Sequence, residues 1–281
     1  MENMITFTMM KNSSSVLCKT GAFLNYVMKK NHFSEQYVRW QYFGNPDGEA
    51  IAVNAYDNNE IIGHYAAQPV QAKIDGQIVR GLFILNAAVD PQFQGKGILR
   101  SIADRVHEEA SHREFDFMYG VGNKNSTPIY TKKFGFRNIG ALTVKVGFGF
   151  PTVVSSADYY FRRFWTDQAI SWRLNNPHTK YCTKELSGSN IVLQNLRLAL
   201  TVYMGHVESD VSMITRKTIN LLPLLYIGCD PCIEWSKGLF VDMPNFLKPS
   251  PLNLIFSDLR GKRFEVTGHN SLVQGLDIDA F

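Results

Sequence analysis

The chain has 281 residues, 45% of them hydrophobic and 19% charged, with a formal net charge of +4 at neutral pH. That is enough apolar content for one large core or two modest ones, and too little charge for a disordered chain. The small positive balance, with no run of five or more basic residues, argues against a dedicated nucleic-acid binder but leaves room for a local anion site.

No apolar run reaches the ~18–20 residues that span a bilayer. The N-terminal "MENMITFTMMKNSSS" lacks a basic end leading into a long apolar stretch, so no secretory signal and a cytoplasmic location are expected. Among the four cysteines, Cys18, Cys182, Cys229 and Cys232, only "CDPC" has metal-ligand spacing. No second pair completes it, so two reduced thiols near a turn, and no metal, are expected.

In chain order, "ITFTMM" reads as a first strand. "KTGAFLNYVMKKNHF" has helical spacing, with Phe23, Val27 and Tyr26 on one side. Ser34 is placed to cap a second helix, "EQYVRWQYFG", ending near Gly44. After a loop at Asn45-Pro46-Asp47-Gly48, three strands follow: "AIAVNAY", "EIIGHYAAQPVQAKI" and "QIVRGLFILNAAV". "DNN" and Asp75-Gly76 supply the turns between them, so an antiparallel meander is expected. The period then changes. Ile98, Ile102 and Val106 recur at helical spacing, with Leu99 and Ala103 beside them. "FDFMYGV" reads as a buried central strand. "TPIYTKKFG" reads as a short helix ended by Gly135, and "ALTVKVGFGF" as a closing strand.

The pattern restarts at Pro151. "DYYFRRFWTDQAISWRLNN" reads as helical, "IVLQNLRLALTVYMGHV" as strands with a break, and "SMITRKTINLLPLLYIG" as a helix followed by a strand. "PLNLIFSDL" reads as a late strand. "RWQYFGNP" is echoed by "SWRLNNP": a Trp, then Asn-Pro, then paired strands about a polar turn. Either chance or an internal repeat explains this; the glycine-rich stretch of the first half has no counterpart in the second.

That stretch, "VDPQFQGKGI", joins a strand to a helix. A helix start exposes unpaired backbone N–H groups and carries the positive end of the helix dipole, which suits phosphate or pyrophosphate. Glycines remove the Cβ atoms that would keep an anion away, and Lys96 adds charge. A Walker loop is excluded because Lys96 precedes Gly97, not Ser or Thr, and the spacing to an earlier Gly is wrong. A dinucleotide loop is excluded because Arg100 stands where a third glycine is needed and the preceding strands are antiparallel. A tight turn with no ligand is the remaining plain reading.

Gln92-x-x-Gly95-x-Gly97, preceded by Val89-x-Pro91 and followed by Ile98 and Leu99, resembles the acyl-CoA pyrophosphate loop of the GNAT superfamily of N-acyltransferases. "GVGNKNSTPIYTKKFGF" is similar to that superfamily's later segment, with Asn123 at a strand end, Tyr130 seven residues on, and Phe134-Gly135-Phe136 at the helix end. Tyr130 stands five residues before Gly135 where four is usual, so an extra residue lengthens that helix.

The resemblance implies an α+β fold: a mixed, mostly antiparallel twisted sheet flanked by helices, splayed beside the fourth strand. It implies an acyl-CoA-binding catalytic domain over 1–148. A degenerate GNAT-like half over 149–281, smaller and α/β, would shape the acceptor cleft. It also implies roles. Backbone N–H groups from Gln94 through Gly95, Lys96 and Gly97 to Ile98 would hold the pyrophosphate. Ala88 and Val89 would pair with the pantetheine amides, and an N–H near Val89 would polarise the thioester. Asn123 would meet the pantetheine arm, unless it is a turn or cap residue. Tyr130 would protonate the leaving sulfur, unless it only packs.

No base is evident. His64 is a sheet histidine that titrates near neutrality if exposed, and Asn86 with Tyr65 is the alternative, ordering a water. The implied activity is transfer of an acetyl or other acyl group from acetyl-CoA to a small primary amine, an amino sugar among the options. A silent acyl-CoA-binding scaffold and an aminoacyl-tRNA-dependent transferase are the other readings. No metal, nucleic acid or membrane span is expected.

Overall fold

Two left-handed turns set the first sheet. In a computed structural model of the chain, describing residues 5–153, 159–186, 189–196, 200–207, 223–244 and 250–278, β1 (Thr6–Met9) is followed by α1 (Ser14–Met28) and α2 (Glu35–Phe43). Then come β2 (Ile51–Asp57), β3 (Glu60–Ile74) and β4 (Gln77–Val89). Asn58 and Asn59 lie at φ 49° and 67°, and Asp75 and Gly76 at φ 48° and 76°. Two consecutive positive φ values make the hairpin turn whose twist matches its strands. The register runs from Ile51↔Ala67 to Asp57↔Glu60, and from Ile74↔Gln77 to Gly63↔Val89.

The first half continues with α3 (Ile98–His112), β5 (Phe117–Gly122), α4 (Thr127–Lys133), β6 (Arg137–Ala141) and β7 (Thr143–Phe148). The second half has β8 (Phe161–Arg163), α5 (Asp167–Leu174), β9 (Tyr181–Leu186), β10 (Ser189–Leu196), β11 (Leu200–Val207) and β12 (Leu224–Gly228). β13 (Leu239–Asp242), β14 (Asn253–Asp258) and β15 (Ser271–Leu272) complete it.

The two halves exchange strands. In the first sheet, ordered β1-β2-β3-β4-β5-β14-β6, β5 runs parallel to β4, and β14 from the second half lies between β5 and β6. In the second sheet, ordered β13-β7-β12-β11-β10-β9, β12 runs parallel to β11, and β7 from the first half lies beside β12. "ALTVKVGFGF" therefore does not close the first unit. β6, which the sequence reading did not separate from it, stays in the first sheet, while β7 crosses to the second. β7 and β14 thus each pair across the division at residue 148.

The helices cover opposite faces of the first sheet. Ile98, Ile102 and Val106 of α3 pack with Leu82, Ile84, Tyr65 and Tyr130. The α1 and α2 face packs with Phe83, Leu85, Tyr119 and residues of the second half. The period-2 alternation of β4 sends Leu82 and Ile84 one way and Phe83 and Leu85 the other. On α1 the buried face is Leu17, Gly21, Phe23 and Leu24, while Tyr26, expected on that face, is 59% exposed.

The stretch read as one helix from 158 divides. Phe161 and Arg163 alternate inward as β8, paired with Ile74 and Ala72 of β3. Helix α5 starts only at Asp167, where the Thr166 hydroxyl accepts the Ala169 N–H. The helix expected near 212–222 lies outside the described residues; the strand expected after it is β12.

The echoed segments occupy matching places. Ser34 caps α2 as Thr166 caps α5, and each helix carries a Trp six residues after its cap. Trp40 and Trp172 stack at 4.7 Å, and each indole N–H donates to the other's backbone carbonyl at 3.1 Å. Such reciprocal pairing is what a two-fold relation between α2 and α5 produces. Asn45 and Asn176 each accept the N–H two residues on, across their prolines. A hairpin and a strand with a parallel partner follow in both halves.

Candidate functional site

The parallel contact between β4 and β5 is short. It covers Gly81↔Phe117, Leu82↔Met118 and Phe83↔Tyr119. Beyond Phe83, β4 keeps its partner β3 to Val89, while β5 stays with β14 to Gly122. The strands therefore part, and among the described residues the edge of β4 from Ile84 to Val89 has no strand beside it. Asp90 donates its N–H to Ile62 on β3 at 2.9 Å. Alternation along an antiparallel pair then turns the Val89 N–H to the open edge. The Val89 carbonyl accepts the Gln94 side-chain amide at 3.2 Å, so the loop folds back over the same edge. Ala88, paired with His64, is buried.

The glycine-rich loop closes one end of this gap. Asp90 caps a short 3₁₀ turn by accepting the Gln92 N–H at 2.9 Å. Gly95 and Gly97 then take φ +79° and +77°, values that a side chain would strain. A Cβ on either would meet nothing within 4 Å, so packing does not demand these glycines. The N–H groups of Gly95, Lys96 and Gly97 find no acceptor among the described residues. With the free N–H groups of the first turn of α3, from Ile98, they form a cradle of donors at the positive end of a 15-residue helix. The Lys96 ammonium rests 4.7 Å from the centre of the Phe93 ring. Arg100 binds both oxygens of Asp104 and donates to the Lys133 carbonyl, tying α3 to the end of α4. A second groove, lined by Phe23, Tyr26, Asp57, Glu60, Asp90 and Phe93, adjoins the loop on its other side. Its carboxylates oppose an anion, so the glycine side is the anion side.

Asn123 ends β5 and starts the turn into α4. Its side-chain carbonyl accepts the N–H groups of Asn125 and Ser126, both at 2.9 Å. The residue is therefore a cap. It is also exposed, at the mouth of the β4–β5 gap. Tyr130 sits on the buried side of α4, 6% exposed, its ring 6.3 Å from Tyr65, 5.7 Å from Phe134 and 5.3 Å from Phe136. Its carbonyl accepts N–H groups from both Phe134 and Phe136, which absorbs the extra residue before Gly135. Burial pushes its phenol well above the usual range. The Tyr65 hydroxyl beside it is buried with no hydrogen-bond partner among the described residues.

On the opposite face of β4 runs a buried polar chain that sequence reasoning did not assemble. β4 bulges at Asn86, φ 52°, where the register against β3 shifts. The Asn86 amide donates to the Tyr42 hydroxyl at 2.9 Å and to the Gln41 side chain at 2.7 Å. Tyr42 meets His64 Nε2 at 2.8 Å, His64 Nδ1 meets Asn54 at 2.6 Å, and Asn54 donates to Thr20 at 2.9 Å. The signal in the sequence is a polar residue in an apolar strand, as at Asn54, His64 and Asn86; Gln41 and Tyr42 look like ordinary helix residues.

His64 is fully buried, and burial holds its pKa at about 3 against an ordinary 6.5. It is neutral at physiological pH and a poor base. The unfolded chain takes up this proton near pH 6.5, whereas the native state refuses it until about pH 3. Its contribution is therefore complete above pH 6.5 and is lost as pH falls toward 3. The gap between the two values corresponds to roughly 5 kcal/mol. Urea unfolding at pH 7 and pH 4.5 should show a loss on the order of 2–3 kcal/mol from this residue, and His64→Gln should remove that part of the difference. Equal pH slopes for the two proteins would rule the assignment out.

Cys229 donates to the Gly268 carbonyl at 3.2 Å, and the Cys232 N–H caps onto Asp230 at 2.9 Å, which makes "CDPC" a turn. Among the described residues no cluster of three or more His, Cys, Asp or Glu is arranged for a metal, and no helix is long and apolar enough to cross a membrane.

The model of the acetyltransferase (GNAT) domain family matches residues 19–139, which span the gap, the loop and α4. No curated protein matches the sequence. The fold is similar to that of a probable N-acyltransferase from Enterococcus faecalis V583, with TM-score 0.62 and 9% identity, over 91% of this chain and 73% of that one. It is similar to Eis1 from Mycobacterium abscessus, with TM-score 0.57 and 11% identity, over 89% and 73%. A GCN5-related N-acetyltransferase from Anabaena variabilis follows, with TM-score 0.53 and 14% identity, over 89% and 72%. At such identities the likeness to these structures is one of fold.

Proposed function

We propose that this chain is a GNAT-type acetyltransferase, a reading that the family match over residues 19–139 supports, and that it moves an acetyl group from acetyl-CoA to a primary amine of a small molecule. Amino sugars are one class of such amines. The observation that carries this reading is the cradle of acceptor-less N–H groups from Gly95 to Ile98, standing at the end of an unpaired strand edge. Gly95, Lys96, Gly97 and Ile98 hold the pyrophosphate; the Gln94 N–H, expected to join them, donates to the Pro91 carbonyl at 3.5 Å and its side chain to Val89, so Gln94 shapes the loop instead. Ala88 and Val89 take the pantetheine as an added strand, and exposed Asn123 borders its arm.

The amine attacks the thioester carbon directly, in a ternary complex. The Val89 N–H receives the developing oxyanion. Collapse of the tetrahedral intermediate breaks the C–S bond, and Tyr130 gives its phenolic proton to the departing sulfur. The proton lost by the amine passes to solvent; Asn86 and Tyr65, expected to order a water together, lie on opposite faces of the sheet, Asn86 against Tyr42 and Gln41 and Tyr65 against Tyr130, and do not share one. No metal takes part. Residues 1–148 carry the donor chemistry, and 149–281 wall the acceptor; this division is one of roles, since strands cross it in both directions. A cytoplasmic location follows from the donor.

Release of free CoA thiol, followed with acetyl-CoA and a panel of amines and amino-sugar nucleotides, tests the proposal. Turnover with at least one amine is expected. Binding of acetyl-CoA with no turnover on any would instead make the protein a silent acyl-CoA binder.

A further inference from the structure

The β4 bulge leaves one amide oxygen at the open strand edge. Asn86 stands in the middle of that edge with φ 52°, a left-handed backbone that glycine adopts freely and other residues adopt at a cost. The backbone alone would be better served by glycine, so the position keeps its side chain against the strain. Bulges re-aim side chains, and strained residues gather where a ligand is held.

The surroundings decide which end of the amide faces outward. Gln41 donates its side-chain N–H to the Tyr37 hydroxyl at 3.3 Å, which turns its oxygen to Asn86 at 2.7 Å. The Asn86 amide also donates to the Tyr42 oxygen at 2.9 Å. Further in, Asn54 donates to Thr20 at 2.9 Å and to Tyr56 at 3.3 Å, so its oxygen accepts from His64 Nδ1. His64 Nε2 is then left to accept the Tyr42 O–H at 2.8 Å. Every hydrogen along this chain points inward from Asn86. Both N–H groups of Asn86 are thereby spent, and its oxygen faces the other way. That oxygen takes no hydrogen bond among the described residues, and it is not sealed from solvent. A fixed, open hydrogen-bond acceptor is set to receive an N–H or O–H from outside the protein.

Its place on the strand says which. Asn86 precedes Val89 by three residues, roughly 10 Å of strand at about 3.3 Å per residue. A thioester carbonyl on the Val89 N–H, an attacking nitrogen at its carbon, and one hydrogen bond of about 2.9 Å to the amide oxygen cross that length. Asn86 meets α2 through Gln41 and Tyr42, whereas Tyr130 packs on the α3 face. Nucleophile and acid thus come to the thioester from opposite faces of the sheet.

We propose that Asn86 positions the attacking amine: its amide oxygen accepts an N–H of the neutral amine and aims the nitrogen lone pair at the thioester carbon. Tyr42, with His64 behind it, is a positioning residue that holds the amide in this orientation. An amide takes up no proton at neutral pH, so Asn86 orients the amine and does not deprotonate it. This role rests on the acyl-transfer reading.

Asn86→Gly tests it, because glycine removes the amide and eases the backbone at φ 52°, so the fold has no reason to fail. The acetyl-CoA-dependent melting shift should stay as in the wild type. In CoA-release assays with a panel of amines, kcat/KM for the amine should fall on the order of 10–10²-fold. Tyr42→Phe keeps Asn86 but frees its amide to turn, and should lose part of the same factor. In the double variant the two losses should not multiply. If Asn86→Gly matches the wild type on every amine that the wild type uses, the proposal is overturned. Loss of the acetyl-CoA shift would also overturn it, by making Asn86 part of the donor site, and losses that multiply would remove Tyr42 from it. If the wild type binds acetyl-CoA and acetylates no amine, the acyl-transfer reading itself falls and takes the role of Asn86 with it.

Discussion

Gly97→Glu is expected to abolish the rise in melting temperature that acetyl-CoA gives the wild-type protein. At a ligand concentration 100 times Kd, binding adds about 2.7 kcal/mol to stability, which is on the order of 5–10 °C for a chain of this size. Two effects remove it together. Gly97 holds φ +77°, and any side chain there pays about 1–2 kcal/mol for the left-handed backbone. The glutamate carboxylate would also project into the open space over the loop, where the pyrophosphate belongs, and occupy the same N–H donors. The two are separable. Gly97→Ala carries the strain without the charge, so its unliganded melting temperature should fall by a similar amount while part of the acetyl-CoA shift survives. If Gly97→Glu keeps the full shift, the loop does not hold the donor.

Tyr130→Phe should lower kcat by about 10²–10⁴-fold, the range for loss of a positioned acid, with acetyl-CoA affinity unchanged. The substitution keeps the ring and its contacts with Tyr65, Phe134 and Phe136, so packing and cofactor binding have no reason to change. Burial holds the phenol above its ordinary pKa. It therefore keeps its proton across the neutral and mildly alkaline range, and kcat should show no alkaline fall from this group below about pH 10. Presteady-state release of CoA thiol, which isolates the chemical step, is the measurement to use. An unchanged rate would leave Tyr130 as a packing residue only.

The glycine loop and the first sheet were legible because their signals are local. Gly95 and Gly97 bracket a helix start, Asp75-Gly76 makes a hairpin, and Ser34 caps α2, each readable within a few residues. The face of β4 turned away from α3 was not legible, because distant segments build it. Arg163 sat inside what read as a helix; three residues of alternating burial against β3 are too few to announce a strand. Gln41 and Tyr42 became significant only when β4 bulged at Asn86 to meet them. The exchange of β7 and β14 left no trace in local pattern, since a strand's alternation is the same whichever sheet receives it. The Trp40 and Trp172 echo was the one long-range signal that sequence carried, and their stacking is its physical counterpart.

The exchanged strands also bear on how the protein is made. A ribosome adding ~5–20 residues per second completes β5 at residue 122, yet β14, which pairs with it, ends at residue 258. For roughly ten seconds the nascent chain carries the glycine loop and its sheet with one open, apolar strand edge. During that interval the edge is a template for any passing strand, including that of a second copy on the same message. The sheet that carries the loop is thus closed by a strand that emerges long after it, and a chain cut at residue 148 would keep the loop and Tyr130 while leaving that edge open for good.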